Sequence, residues 1–217
     1  MSIAQNYPAI SPSLSLDFAA VQALDPRITY TRASTATYYG TETAKAEENL
    51  LLQSQDFTTT WTNTGTTDTA NTSVAPDGTT TADTLTENPS GSGQAAISQN
   101  ISFTAGLPYT FSIFVKQGTA TFVQLLVGAT PFGSNAYANF NVTTGSGAVG
   151  TVGSSATASI VDAGNGWFRC IITATATSTA SGSAQINIIE SATDARAPSI
   201  TLDGGTILLW GAQVEQR

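Results

Sequence analysis

The sequence has no histidine. That removes the usual general base for a serine or cysteine nucleophile and the commonest transition-metal ligand. It has one cysteine, Cys170, so no intrachain disulfide can form and no zinc or iron–sulfur site can be built from cysteines. Cys170 alternates with Phe168 and Ile172, the position of a small buried hydrophobe rather than a reactive thiol. Basic residues are scarce too: seven Lys and Arg are scattered along 217 residues, against fifteen Asp and Glu, for a net charge of −8. Nucleic-acid binding needs clustered Lys and Arg, as does adhesion to anionic membranes, so neither partner is expected. No apolar run approaches a membrane span, and the N-terminus MSIAQNYPAISPS lacks the basic and apolar regions of a signal peptide. A protein that is soluble as made is expected, reaching any extracellular place by another route, such as release in a particle after lysis. P-loop, dinucleotide and kinase signatures are missing, and Gly-rich pieces such as GSGAVGTVG lack the strand–loop–helix context of phosphate sites.

Charged residues make up only 10%, and Thr, Ser, Ala and Gly take their place. Strand-forming apolar runs recur throughout, which separates the chain from disordered sequences. The strongest run is Asn165 to Thr177, NGWFRCIITATAT. Asn-Gly favours a turn with positive φ, and a period-two pattern follows. Phe168, Cys170, Ile172 and Ala174 form a wholly apolar face, suited to packing on a second sheet. Trp167, Arg169, Ile171 and Thr173 form a mixed face, suited to a partly wet or partner-facing surface. A central strand of an antiparallel sandwich has this pattern.

The rest of the chain follows the same rule. Residues 1–48 read as an extended arm punctuated by Pro8, Pro12 and Pro26, with short strands around residues 14–18 and 28–30 and a charge-dense, helix-compatible piece at 41–48. From Asn49 the pattern becomes that of a domain, 49–217. NLLLQS reads as its opening strand, and Val74 to Gly78 as a turn. Strands are expected at 82–87, 94–103, 107–117, 122–127, 137–142, 148–152, 156–161, 185–189 and 206–214. The run at 107–117 puts Tyr109, Phe111, Ile113 and Val115 on one face and Thr110, Ser112, Phe114 and Lys116 on the other. It reads as a hairpin with 122–127 across Gln117-Gly118. Many short strands with turns every ten residues or so give an all-β fold, a jelly-roll β-sandwich preceded by an extended N-terminal arm.

Several stretches resemble a known family. DPRITYTRASTATYYG resembles a segment near the N-termini of phage tail and head appendage proteins. NLLLQSQDFTTTWT, APDGTTTADTLTE, YTFSIFVKQG, NGWFRCIITATAT and LLWGAQVEQ resemble successive blocks of a carbohydrate-binding-module-like sandwich in the same proteins. The resemblance implies a non-enzymatic bacteriophage virion structural protein on the particle surface, as a capsid decoration, spike or tail-fibre component contributing to host attachment. It implies contacts with other capsid or tail proteins through residues 1–48, a homo-oligomer (a homotrimer by expectation) and a virion location. In that setting Trp167, Arg169 and Cys170 look like scaffold.

Two alternatives carry their own residues. A glycan-binding receptor-recognition module needs aromatic platforms beside amides, because sugars have apolar C–H faces and dense hydroxyls. Trp61, Phe132, Tyr137, Asn139 and Asn141 are the glycan-binding candidates, with core packing as the competing role for Trp61. A polysaccharide hydrolase, the remoter alternative, needs two carboxylates across a cleft. Asp56, Asp68, Asp77, Asp83, Glu87, Asp162, Glu190, Asp194 and Asp203 supply acids, most of them in expected turns. No cofactor is expected. A structural calcium is the one metal considered, with Asp194 and Asp203 as candidate ligands.

Overall fold

The computed structural model describes residues 35–37, 43–45 and 49–216. In the first two segments, Thr35–Thr37 (β1) and Thr43–Lys45 (β2) pair antiparallel. Residues 43–45 are therefore extended where the sequence suggested helix; so short a helix has little stability of its own. The other expectations for residues 1–48, including the strands at 14–18 and 28–30 and the arm itself, lie outside the described residues.

The elements that follow are β3 (Thr62–Thr64), β4 (Thr66–Ser73), β5 (Ala82–Glu87), β6 (Gly91–Gly93), β7 (Ala95–Phe103), β8 (Pro108–Gln117), β9 (Phe122–Val127) and α1 (Ala129–Phe132). After them come β10 (Tyr137–Asn141), β11 (Ala148–Val152), β12 (Thr157–Gly164), β13 (Trp167–Thr175), β14 (Ala180–Ile189), β15 (Ile200–Leu202) and β16 (Thr206–Gln216). They build a jelly-roll β-sandwich of two six-stranded antiparallel sheets. Sheet I runs β11-β10-β9-β14-β7-β3, sheet II runs β12-β13-β8-β16-β5-β4, and β15 pairs β6 in a small ribbon.

Alternation decides which side chains meet between the sheets. Val123, Leu125 and Val127 of β9, with Ala184, Ile186 and Ile188 of β14, point inward from sheet I. Tyr109, Phe111, Ile113 and Val115 of β8, with Phe168, Cys170 and Ile172 of β13, point inward from sheet II. Phe103, Tyr109 and Phe132 pack edge to face, their ring centroids 4.7 to 5.9 Å apart. That is the geometry ring quadrupoles favour. Cys170 is fully enclosed, and burial pushes its thiol well above the usual range, as its place in the alternation implies.

Three details depart from the sequence reading. NLLLQS forms no strand: Leu51 is buried, Leu52 is 76% exposed, and the segment is tied down by side chains. Asn49 Oδ1 accepts from Leu51 N and Val214 N, and Gln99 Oε1 accepts from Leu52 N. β8 and β9 do not form a hairpin. β8 pairs β13 and β16, β9 pairs β10 and β14, and residues 118–121 carry the chain from one sheet to the other. The crossing is held by Thr206, whose carbonyl accepts from Ala120 N and whose Oγ1 accepts from Thr119 N. Finally, β13 lies one strand in from the edge, next to β12, with which it forms a hairpin. Asn165 and Gly166 make its turn with φ of 54° and 80°, the left-handed pair that Asn-Gly supplies at low strain.

Candidate functional site

The five glycan-binding candidates do not converge. Trp61 is 7% exposed, its ring 5.0 Å from that of Phe57 and tilted by 49°, with its Nε1 donating to Gln53 O. Phe132 is 2% exposed and packs on Phe103. A sugar platform needs an open ring face, and core packing takes both of these. Tyr137, Asn139 and Asn141 share the outer face of β10. Asn139 is fully buried there beneath residues 190–199, donating to Ala192 O and Asp194 O. Beside it Gln124 donates to Asn139 Oδ1 and Ala195 O and accepts from Ala197 N. Asn141 Oδ1 accepts from Thr143 N and Thr143 Oγ1, a local turn. Tyr137 is half-buried.

Five of the nine acids fall in two groups. Glu87, Glu190 and Asp203 line an end cleft of about 490 Å³, with Thr119, Thr121 and Phe122. Two of these carboxylates hold backbone. Glu87 Oε2 accepts from Asp203 N and Gly205 N, and Glu190 Oε1 accepts from Thr201 N. Burial raises the Glu87 pKa, outweighing the two backbone N–H groups that favour its ionised form. Asp56 and Asp83 line a second, smaller cleft. Asp83 accepts from Phe57 N and Asn71 N, and burial raises its pKa as well. Asp56, bonded by the Thr58 and Thr59 hydroxyls, is instead lowered.

Of the calcium candidates, Asp203 lies in the end cleft, while Asp194 Oδ2 accepts from Glu190 N and Ser191 N in its own turn. No group of three or more acidic or cysteine side chains poised for a metal occurs among the described residues.

The open, chemically varied surface lies on the outer face of sheet II. Strand pairing sets its side chains in rows across β16, β8, β13 and β12. The first row is Leu208, Lys116 and Trp167; the second is Trp210, Phe114, Arg169 and Val161. The third is Gln213, Ser112, Ile171 and Ser159, and the fourth Glu215, Thr110, Thr173 and Thr157. Simple alternation would turn Gln213 inward if Trp210 faces out. A bulge at Gly211, with φ of 64°, adds one residue and restores the outward direction.

The second row is the centre of this surface. Phe114 and Trp210 are half-buried, 5.4 Å apart and tilted by 59°. Trp210 Nε1 donates to Thr81 Oγ1. The Arg169 guanidinium lies over the Phe114 ring at 5.6 Å, and its Nη2 donates to Ser112 Oγ and Gln213 Oε1. Trp167 is buried under Val74 and Ala75, with its Nε1 on Val74 O, and closes one end. At the other end Thr157 and Thr173 of the fourth row also line an open depression of about 460 Å³, with Ser154, Ser155 and Thr175. Aromatic faces, a planar cation, an amide and a rim of hydroxyls thus share one surface. The outward set Ser112, Phe114 and Lys116 is readable from alternation. Trp210 and Gln213 join it only through the bulge, which the sequence marks by nothing more than Gly211.

No protein-family model matches the sequence, and no curated protein matches it. Solved structures do. The enzymatically active domain of bacteriophage CBA120 tailspike protein 4 aligns with TM-score 0.47 and 15% identity over 78% of this chain and 21% of that one. This chain thus spans about a fifth of that tailspike's length. TmCBM61, solved with β-1,4-galactotriose, aligns with TM-score 0.44 and 14% identity over 78% and 99%. The CBM22-1 xylan-binding domain of Paenibacillus barcinonensis Xyn10C aligns with TM-score 0.44 and 18% identity over 80% and 97%. Likeness at that level says nothing of ligand or activity.

Proposed function

We propose that this chain is a non-enzymatic surface protein of a phage particle whose sandwich binds glycan on the outer face of sheet II. The observation that carries the binding is the second row, where the half-buried rings of Phe114 and Trp210 lie beside Arg169 and Gln213. Sugar C–H faces stack on aromatic rings, while ring hydroxyls need planar donors and acceptors at the ring edge. The Gln213 amide provides a planar group, and the accessible Thr157 and Thr173 of the fourth row add hydroxyls. The particle location rests on the appendage-like blocks in the sequence, DPRITYTRASTATYYG above all. The non-enzymatic reading is supported by the carboxylates of the end cleft, of which Glu87 and Glu190 hold the backbone of residues 201–205.

A glycan array probed with the full chain and with Trp210→Ala tests the binding. Retention of a glycan by the parent and its loss in the variant, by about tenfold or more as for a central aromatic anchor, is expected. Equal binding by both proteins, or none by either, contradicts the proposal. Reducing-end release from the bound glycan would contradict its non-enzymatic part.

A further inference from the structure

We infer that the glycan is an acidic one and that Arg169 seats its carboxylate. This deepens the glycan-binding reading and rests on it. Beyond Asn49 the described chain has only three basic side chains, Lys116, Arg169 and Arg196, and two of them lie on this one face. Arg169 is held by neutral acceptors, Ser112 Oγ and Gln213 Oε1, both on Nη2. Its Nε is buried, out of a ligand's reach, with no hydrogen-bond partner among the described residues. A guanidinium has five N–H donors, so the bonds to Ser112 and Gln213 leave donors over.

The plane of this cation is fixed by Phe114 beneath it and by the two acceptors beside it. Both Nη2 hydrogens are committed to Ser112 and Gln213, so Nη1 is left to give a carboxylate a charge-assisted bond from a cation of fixed orientation. Lys116, two residues along β8 from Phe114, adds a second positive charge. The acid of this face, Glu215, is in the fourth row, two rows away from Arg169. The net charge of −8 opposes an anionic polymer at long range, but salt screens it beyond about 8 Å at physiological ionic strength. The local cations therefore decide the contact. A uronic acid polymer fits this set: a ring face meets Trp210, its carboxylate Arg169, and its hydroxyls Gln213 and Thr173.

The test is titration calorimetry on the full chain with sodium polygalacturonate, and with dextran and mannan as neutral polymers. The variants are Arg169→Gln, Arg169→Lys and Trp210→Ala, with Phe114→Leu in reserve should Trp210→Ala fail to fold. Polygalacturonate is expected to bind at least tenfold more tightly than either neutral polymer. Arg169→Gln should weaken it by about tenfold, the scale of one charged hydrogen bond, and Arg169→Lys should restore only part of that, having the charge without a plane anchored on Phe114, Ser112 and Gln213. Neutral polymers bound as tightly as polygalacturonate, or Arg169→Gln without effect, would overturn the acidic ligand while leaving glycan binding in place. No binding of any polymer, or binding indifferent to both aromatic variants, would overturn the glycan reading together with it.

Discussion

At the scale of single residues, most of the acids among the described residues hold backbone. Glu87 is the clearest, buried in β5 and accepting from the N–H groups of Asp203 and Gly205. Its folded pKa lies above the ordinary 4.5 because burial disfavours the charge, and the neighbouring Asp203 adds to the shift. The folded state then holds this proton more tightly than the unfolded state does. The stability contributed is full below pH 4.5 and falls as pH rises through the raised folded value. Glu87→Gln keeps an acceptor but cannot titrate. Subtracting the variant's unfolding free energy from that of the parent should therefore give a difference that declines from pH 4 towards neutrality. A difference independent of pH would show that Glu87 is not desolvated as described. Asp56 and Asp77, held by threonine hydroxyls, shift the other way, so they are the wrong residues for this experiment.

At the scale of elements, one bulge and one strap matter most. Gly211 turns β16 so that Trp210 and Gln213 both face outward. At φ of 64° a side chain is strained, and a Cβ there would stand 3.2 Å from Phe114 Cδ2. Gly211→Ala should cost about 1 kcal/mol or more in denaturant unfolding and weaken glycan binding in parallel. Unchanged stability would mean that the bulge is not rigid. The strap, residues 190–199, lies on the outer face of sheet I, bonded through Gln124 and Asn139. Gln124→Ala should lower stability by about 1–3 kcal/mol and speed hydrogen exchange in residues 191–199 ahead of the rest of sheet I. Uniform exchange would show the strap to be held elsewhere.

These elements mark where sequence reading stops. Strand existence was legible because apolar alternation in β8, β9 and β13 is strong and local. Partners were not: β8 and β9 are joined by four residues, yet they belong to opposite sheets. An apolar face suits either arrangement, and tertiary packing chooses. The outward side of β8 and β13 was also legible, with Arg169 on the mixed face. Trp61 took the core-packing role that the sequence also offered it, and Phe132 was misplaced because an aromatic in a polar stretch carries no sign of whether a loop folds back over the core. Asn139 was misplaced because the strap that covers it begins some fifty residues later.

At the scale of the whole molecule, the strap caps sheet I, while the central rows of sheet II have no such strap among the described residues of the sandwich. Display on a particle would leave that face free, with residues 1–48 proposed as the attachment. Particles assembled with a chain lacking residues 1–48 should lose this protein, as read by immunoblot of purified particles, while the isolated 49–217 fragment should keep its glycan affinity. Normal incorporation of the truncated chain would contradict the attachment role.

The central claim is that a glycan lies on the outer face of sheet II. Its most direct test is an amide and indole NMR titration of the full chain with oligogalacturonides and, in separate samples, with dextran and mannan oligosaccharides. The account predicts shifts in the Trp210 indole N–H, the Arg169 side chain and the amides of residues 112–116, 169–171 and 210–213. Shifts confined to the end cleft, at residues 119–122, 188–190 and 201–205, or no shifts at all, would contradict it.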